Sequence, residues 1–157
     1  MSEFLAPPPP PQPGMQSGDG PSGPRAGFGQ RFGAALIDGI LLGIVGFVLR
    51  QAIGQTGGGL IGVGLGLAYF AYLEGSTSGQ TLGKKWIGIR VIDFNTGGPI
   101  GVGRAVIRYF GRWVSAIACL LGYFWMLWDK ERQTWHDKFA TDVVVPVSSY
   151  PVASWPN

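Results

Sequence analysis

Charged residues are scarce in this sequence. Of its 157 residues only 13% are Asp, Glu, Lys or Arg, against roughly 25% in a typical soluble domain. Hydrophobic residues make up 46% of the chain. The 27 glycines would indicate disorder in a soluble protein, but most of them lie inside apolar runs, and glycine is common in membrane helices. The composition therefore favours a small integral membrane protein with one domain.

Cysteine and histidine are scarcer still, with Cys119 and His136 the single residues of each type. An internal disulfide and a His/Cys zinc site are both excluded. The segment "GQTLGKK" resembles a phosphate-binding loop, but three residues instead of four separate its glycines, and Lys85 stands where Ser or Thr is required. We therefore predict no catalytic residues, no metal and no cofactor. His136 beside Asp137 is interpreted as a surface or capping pair.

Three apolar runs organise the chain. Membrane helices are predicted at about residues 31–49 and 58–73, and a third helix at about 104–128, which either spans the membrane or dips in and returns. The predicted fold class is an all-α integral membrane protein with two to three transmembrane helices, an interfacial basic helix and a short hairpin-like surface segment within residues 74–103. The segment "DVVV" is expected to form a short strand. A proline- and glycine-rich tail (1–30) precedes the membrane domain (31–145), and a polar tail (146–157) follows it.

Small residues recur every four positions on both predicted spans, which lets helix backbones approach closely. The first span carries Gly39 and Gly43, and the second carries Gly58, Gly62 and Gly66. We predict that the two helices pack glycine to glycine, and that a stripe left over contacts a neighbouring protein.

Arginines also recur every four residues, at Arg104, Arg108 and Arg112, and so form one stripe on a helix. This stripe is predicted to lie at the membrane interface and to bind anionic lipid headgroups. Because the basic residues of the chain lie along the edges of apolar segments and not on one polar face, no nucleic-acid partner is predicted.

The carboxylate of Asp38 is the anomaly of the first span, because a charge within the bilayer costs about 2.5–3.5 kcal/mol even on insertion scales. We expect Asp38 to face protein and to pair with an arginine, either Arg31 or a member of the basic stripe. A structural pair is the favoured interpretation; a protonatable site on an ion pathway and a contact with a partner subunit are the alternatives.

Three segments together resemble the RDD family of membrane proteins, named for one arginine and two aspartates. They are "RFGAALID" in the first helix, "GQTLGKKWIGIRVID" with "RAVIRY" in the middle, and "WHDKFATDVVV" near the end. The resemblance assigns the family residues to Arg31, Asp38 and Asp137. It implies a multi-pass protein of the bacterial plasma membrane. The proline-rich leader resembles the actinobacterial branch, which implies similarity to an accessory factor of the respiratory supercomplex.

Two functions remain open at this stage. The favoured one is a non-enzymatic accessory subunit that contacts other integral membrane subunits, with respiratory complexes implied by the resemblance. The alternative is a cation/proton antiporter that acts as an oligomer. Lysines and arginines concentrate in residues 74–112, which predicts that this segment and the N-terminal tail are cytoplasmic.

Overall fold

Two long apolar helices form the membrane part of the molecule. The computed structural model describes residues 23–118 and 120–149. Helix α1 runs over Phe28–Ile53 and α2 over Gln55–Gly75, so both are longer than the runs that predicted them. Gly54, with φ of +84°, forms the tight turn between them, a conformation that glycine adopts without steric cost. Both helices are long and apolar enough to cross a membrane.

The third apolar run is broken, contrary to the continuous helix predicted for 104–128. Helix α4 covers Gly101–Ile117, and after a bend of 111° a short helix α5 (Leu121–Phe124) and a 3-10 turn (Trp125–Leu127) follow. Leu120 at the break adopts φ of +64°. This geometry is that of a broken span or a re-entrant segment. Cys119 lies outside the described residues.

A small two-stranded sheet closes the polar end of the bundle. Strand β1 (Ile89–Asp93) follows the short helix α3 (Leu82–Ile87), and strand β2 (Asp142–Pro146) follows helix α6 (Trp135–Ala140). The strands pair antiparallel. The strand expected from "DVVV" is confirmed, but β1 pairs with it and not within a local hairpin in 74–103. The valines and isoleucines of both strands are buried, which explains why the pairing bridges some fifty residues of chain.

The segment before α1 belongs partly to the folded domain. Ala26 is fully buried and its backbone N–H donates to Val144 O at 2.9 Å, and Arg25 forms an ion pair with Glu131 at 2.9 Å. The predicted tail (1–30) therefore ends earlier than expected, because residues 23–27 pack on the sheet. Its proline run lies outside the described residues, as do residues 150–157 of the C-terminal tail.

The glycines of α2 lie in helix contacts, as predicted, but the predicted glycine-to-glycine packing is seen at Gly62 with Gly46, and Gly39 and Gly43 take no part in it. A Cβ on Gly58 would lie 2.5 Å from the backbone N of Arg50, and one on Gly62 would lie 3.9 Å from Gly46 Cα. A Cβ on Gly66 would meet the Tyr109 hydroxyl at 3.2 Å. A Cβ on Gly39 or Gly43 would meet no atom within 4 Å in the described part of the chain. The helices therefore cross near their connecting turn through Gly46, and the Gly39–Gly43 stripe stays open.

Candidate functional site: a buried charge network

Arg108 is the centre of a cluster of buried charges. Its side chain is 2% exposed and points inward from α4. The guanidinium pairs with Glu74 at 3.1 Å between Nε and Oε2, and with the carboxylates of Asp137 and Asp142. A buried charge needs partners of opposite sign because its desolvation costs several kcal/mol. One arginine thus joins the end of α2 to α6 and the start of β2.

Glu74 collects two further cations. The ammonium of Lys84, from α3, and the guanidinium of Arg112 both donate to its Oε1. Arg112 also lies over the ring of Phe70, 4.2 Å from the centroid, so that its face is covered by a cation–π contact. The fully buried Glu74 carboxylate therefore compensates three cations from two elements.

Arg31 and Asp137 extend the network to the start of α1. The Arg31 guanidinium donates to Asp137 Oδ2. Asp137 also completes a capping box at the N-terminus of α6: its Oδ2 accepts from Thr134 N at 2.9 Å, and Thr134 Oγ1 accepts from Asp137 N at 3.4 Å. The capping role expected for Asp137 is confirmed, whereas the surface position expected for His136 is wrong, since His136 is buried.

Asp38 faces protein, as predicted, but its partner is not an arginine. Its Oδ1 accepts hydrogen bonds from the Tyr69 hydroxyl at 2.6 Å and from Gly83 N at 2.8 Å, and its Oδ2 accepts from the Thr81 hydroxyl at 2.6 Å. Three neutral donors thus stabilise the carboxylate. Arg31 does not reach it because helix side chains lean toward the N-terminus and Arg31 is committed to Asp137.

The start of α3 provides two of the hydrogen-bond donors to Asp38. Thr81 is the N-cap of this helix and accepts from Lys84 N at 3.2 Å, which leaves the backbone N–H of Gly83 free for the carboxylate. A Cβ at position 83 would lie 2.2 Å from the Ala34 carbonyl oxygen, so only glycine allows α3 to approach α1 this closely. The segment "GQTLGKK", which lacks the pattern of a phosphate-binding loop, therefore binds the carboxylate of Asp38 in its own chain.

Burial and charge shift the pKa values of the groups at the polar end. Burial raises the pKa of Asp137, but Arg108 and Arg31 outweigh burial and hold it well below its usual range. Burial, with the Asp137 charge nearby, raises the pKa of Asp142 to about 7. Burial lowers the pKa of His136 well below its usual value, and lowers that of Lys84 to about 8 although Glu74 opposes the change. His136 is therefore neutral at pH 7.

The basic stripe exists, but it faces inward. Arg104 pairs with Asp93, and Arg108 and Arg112 pair within the network. The interpretation of the stripe as a headgroup-facing surface is therefore wrong for Arg108, which is buried. Headgroup binding remains an untested prediction.

Sequence reasoning missed Glu74 and the network role of Asp142. Glu74 is the single acidic residue of α2, at the end of its apolar run, and this isolation is the signal that could have identified it. Asp142 lies five residues after Asp137 in the sequence and carries no comparable signal. Within the described residues no cluster of His, Cys, Asp or Glu has an arrangement that could hold a metal ion, and the three network carboxylates are occupied by cations.

Comparison with known proteins agrees with this geometry. The model of the RDD family, a membrane-associated family, matches residues 25–141. A proline-rich antigen homolog of Mycobacterium tuberculosis is 41% identical over 99 residues, covering 60% of this chain and 40% of the relative. The proline-rich antigen of Mycobacterium leprae is 40% identical over 78 residues, covering 50% of this chain and 31% of the relative.

A further relative is an uncharacterized protein of Haemophilus influenzae, 30% identical over 110 residues, with 66% of this chain and 67% of the relative covered. The chain spans less than half the length of the mycobacterial relatives. No solved structure matches. The family match covers residues 25–141, most of the chain, so the chain belongs to the RDD family.

Proposed function

We propose that this chain is a non-enzymatic accessory subunit of a larger membrane protein complex. The observation that carries the proposal is the contrast between its two ends. The charged side chains of the network are each paired with an opposite charge within the chain. The two spans, however, bury only 11% and 17% of the residues in their apolar windows. A molecule with a fixed interior and open span surfaces is suited to contact other membrane subunits.

The open surfaces include glycines at which a neighbouring helix can approach closely. Gly43 on α1 and Gly64 on α2 are exposed, and a Cβ on either would meet no atom within 4 Å in the described residues. Small residues on a span permit close backbone contact with another helix. This supports the contact with a neighbouring protein expected for a glycine stripe that α1 and α2 leave unused.

The transporter alternative lacks a polar route through one chain. Residues 39–49 of α1 and 57–68 of α2 are all apolar or glycine. An ion that left the charge network would meet no side chain able to replace its hydration along these segments, at a cost of several kcal/mol. Asp38 and its donors lie at the end of the spans that carries the charge network. They therefore do not extend a polar route along the spans.

The proposed partners are respiratory-chain complexes, which the resemblance described above implies. The descriptions of the relatives name no partner. By the distribution of Lys and Arg, the charge network and the N-terminal tail lie on the cytoplasmic side of a bacterial plasma membrane. The proline run of the tail is proposed to bind a partner, because polyproline segments are preformed for docking on aromatic grooves.

The experiment is co-purification of the tagged full chain from its native membrane in mild detergent, followed by mass spectrometry. Gly43→Leu and Gly64→Leu are the interface variants, Ile44→Leu is the matched control, and deletion of residues 1–22 tests the tail. We expect a stoichiometric membrane partner with wild type and with the control, and loss of it with at least one interface variant. A wild-type chain that purifies without any stoichiometric partner and drives proton-coupled cation flux in liposomes would refute the proposal.

A further inference from the structure

A cavity of about 620 Å³ lies between α1, α4 and α5, next to the charge network. Its volume is within the range of small-molecule sites, roughly 300–1,000 Å³. Its walls are mainly apolar and aromatic. Representative wall residues are Phe28, Phe32, Leu42, Phe70, Trp113 and Phe124.

The wall continues into surface that faces the membrane. Phe32 on α1 is 59% exposed, and Trp113 and Ile117 on α4 are 48% and 80% exposed. These three residues line the cavity and also border its outside. The cavity therefore opens onto exposed apolar surface of α1 and α4.

The inner end of the cavity is cationic. Arg31, Lys84, Arg108 and Arg112 all line it. The carboxylates that compensate them, on Glu74, Asp137 and Asp142, are fully buried behind them and are not among its lining residues.

One carboxylate, that of Asp38, does line the cavity. Both of its oxygens are already held by the three donors described above. The side chains that a ligand would contact at the inner end of the cavity are therefore mainly cationic.

Two of these cations have unused hydrogen-bonding capacity. Arg31 Nη2 and Arg112 Nη1 have no hydrogen-bond partner in the described part of the chain. Both nitrogens are buried, although their side chains retain 11% and 15% exposure. A buried donor left unpaired is costly, and an oxyanion held at the inner end of the cavity relieves that cost after a small shift of either side chain.

We propose that this cavity binds a membrane lipid with an anionic phosphate headgroup. The phosphate lies at the inner end, against Arg31 and Arg112, and the upper part of an acyl chain lies along the aromatic wall. Basic pockets between membrane helices on the cytoplasmic side have this use in other proteins. The apolar wall and its continuity with the lipid-facing surface favour a lipid over a soluble anion that carries the same phosphate group.

The test uses the purified full-length chain in dodecyl maltoside, with lipid binding measured by native mass spectrometry. The probes are dioleoyl phosphatidylglycerol, dioleoyl phosphatidylcholine as the lipid without net charge, and glycerol phosphate as the soluble competitor. Ala116→Trp fills the cavity without removing a charged residue, and Val114→Trp is the matched control on an exposed position of α4 that does not line the cavity. Arg112→Gln tests the charge.

We expect phosphatidylglycerol to bind at least about tenfold more tightly than phosphatidylcholine, a difference of about 1.4 kcal/mol. Ala116→Trp should weaken phosphatidylglycerol binding at least as much, while Val114→Trp leaves it unchanged, and Arg112→Gln should narrow the preference between the two lipids. Equal binding of both lipids, or unchanged binding to Ala116→Trp, would overturn the proposal. So would competition by glycerol phosphate at concentrations similar to those of the lipid, or a dimer of the chain that excludes lipid.

Discussion

At the scale of single residues, the three side chains that the resemblance assigns to the family motif, Arg31, Asp38 and Asp137, make different contacts. Arg31 and Asp137 pair with each other and join α1 to α6. Asp38 binds α3 through neutral donors and takes no part in that ion pair. All three connect elements at the polar end of the bundle: Arg31 and Asp38 lie on α1, and Asp137 lies on α6. In this structure the three residues therefore form contacts between elements.

The first prediction concerns Asp38. Asp38→Asn keeps a side-chain oxygen that can accept from Tyr69 or Thr81, so it should cost about 1–2 kcal/mol. Asp38→Leu removes every acceptor and leaves three donors unpaired, and should cost about 3 kcal/mol or more. Thermal unfolding in detergent measures both. Equal destabilisation by the two variants would show that the hydrogen bonds do not hold Asp38.

The second prediction concerns pH and His136. Its pKa in the folded protein is depressed, so the folded protein binds fewer protons than the unfolded chain below about pH 6.5, and the stability due to neutral His136 is lost as pH falls. Asp142 acts oppositely in this range, because its raised pKa makes proton uptake favour the folded state. A comparison of two variants with wild type separates these effects.

His136→Gln removes the contribution of His136 to the pH dependence of stability and leaves the contribution of Asp142 unchanged. As pH falls from about 6 to 5, the free energy of unfolding of this variant should rise by about 1 kcal/mol relative to that of wild type. Unfolding midpoints at pH 7, 6 and 5 measure the gain, and Asp142→Asn should shift in the opposite direction. A difference between His136→Gln and wild type that does not vary with pH would refute the assignment of His136 as a neutral buried group.

At the scale of elements, the spans were predictable because their signal is local. Twenty apolar residues in succession identify a membrane helix without knowledge of its neighbours. The break after Ile117 was not predictable from hydropathy, since the residues on both sides are equally apolar. The pairing of β1 with β2 depends on burial between segments about fifty residues apart. Only the strand character of "DVVV", and not its partner, was visible in the sequence.

The third prediction tests how closely α1 and α2 approach. Gly58→Ala places a methyl group 2.5 Å from the Arg50 backbone, so the helices must separate near their turn, at a cost of about 1–3 kcal/mol. Gly64→Ala places the same methyl group in open space and should stabilise α2 by up to about 1 kcal/mol through helix propensity. Detergent unfolding of both variants measures the contrast. Similar effects at the two positions would show that α1 and α2 do not cross as described.

At the scale of the whole molecule, the charges and the spans have separate roles. The network joins the start of α1, the end of α2, the interior of α4, the short helices α3 and α6 and the start of β2 at one polar end. The spans remain open for lipid and for other proteins. The network could be predicted only in part. Apart from the pair of Lys84 with Glu74, its ion pairs join residues 29 to 106 positions apart, and a charge in the sequence does not reveal its distant partner. Arg31 and Asp137 were identified by the family motif, whereas Glu74 had no motif to mark it.

The fourth prediction tests the central claim, that Arg31 pairs with Asp137 and not with Asp38. Two double-mutant cycles on unfolding in detergent share the variant Arg31→Gln, combined with Asp137→Asn in one cycle and with Asp38→Asn in the other. We expect a coupling energy of at least about 1 kcal/mol between Arg31 and Asp137, and additivity within about 0.5 kcal/mol between Arg31 and Asp38. Strong coupling of Arg31 to Asp38, with additivity toward Asp137, would contradict the arrangement of the network on which the account depends.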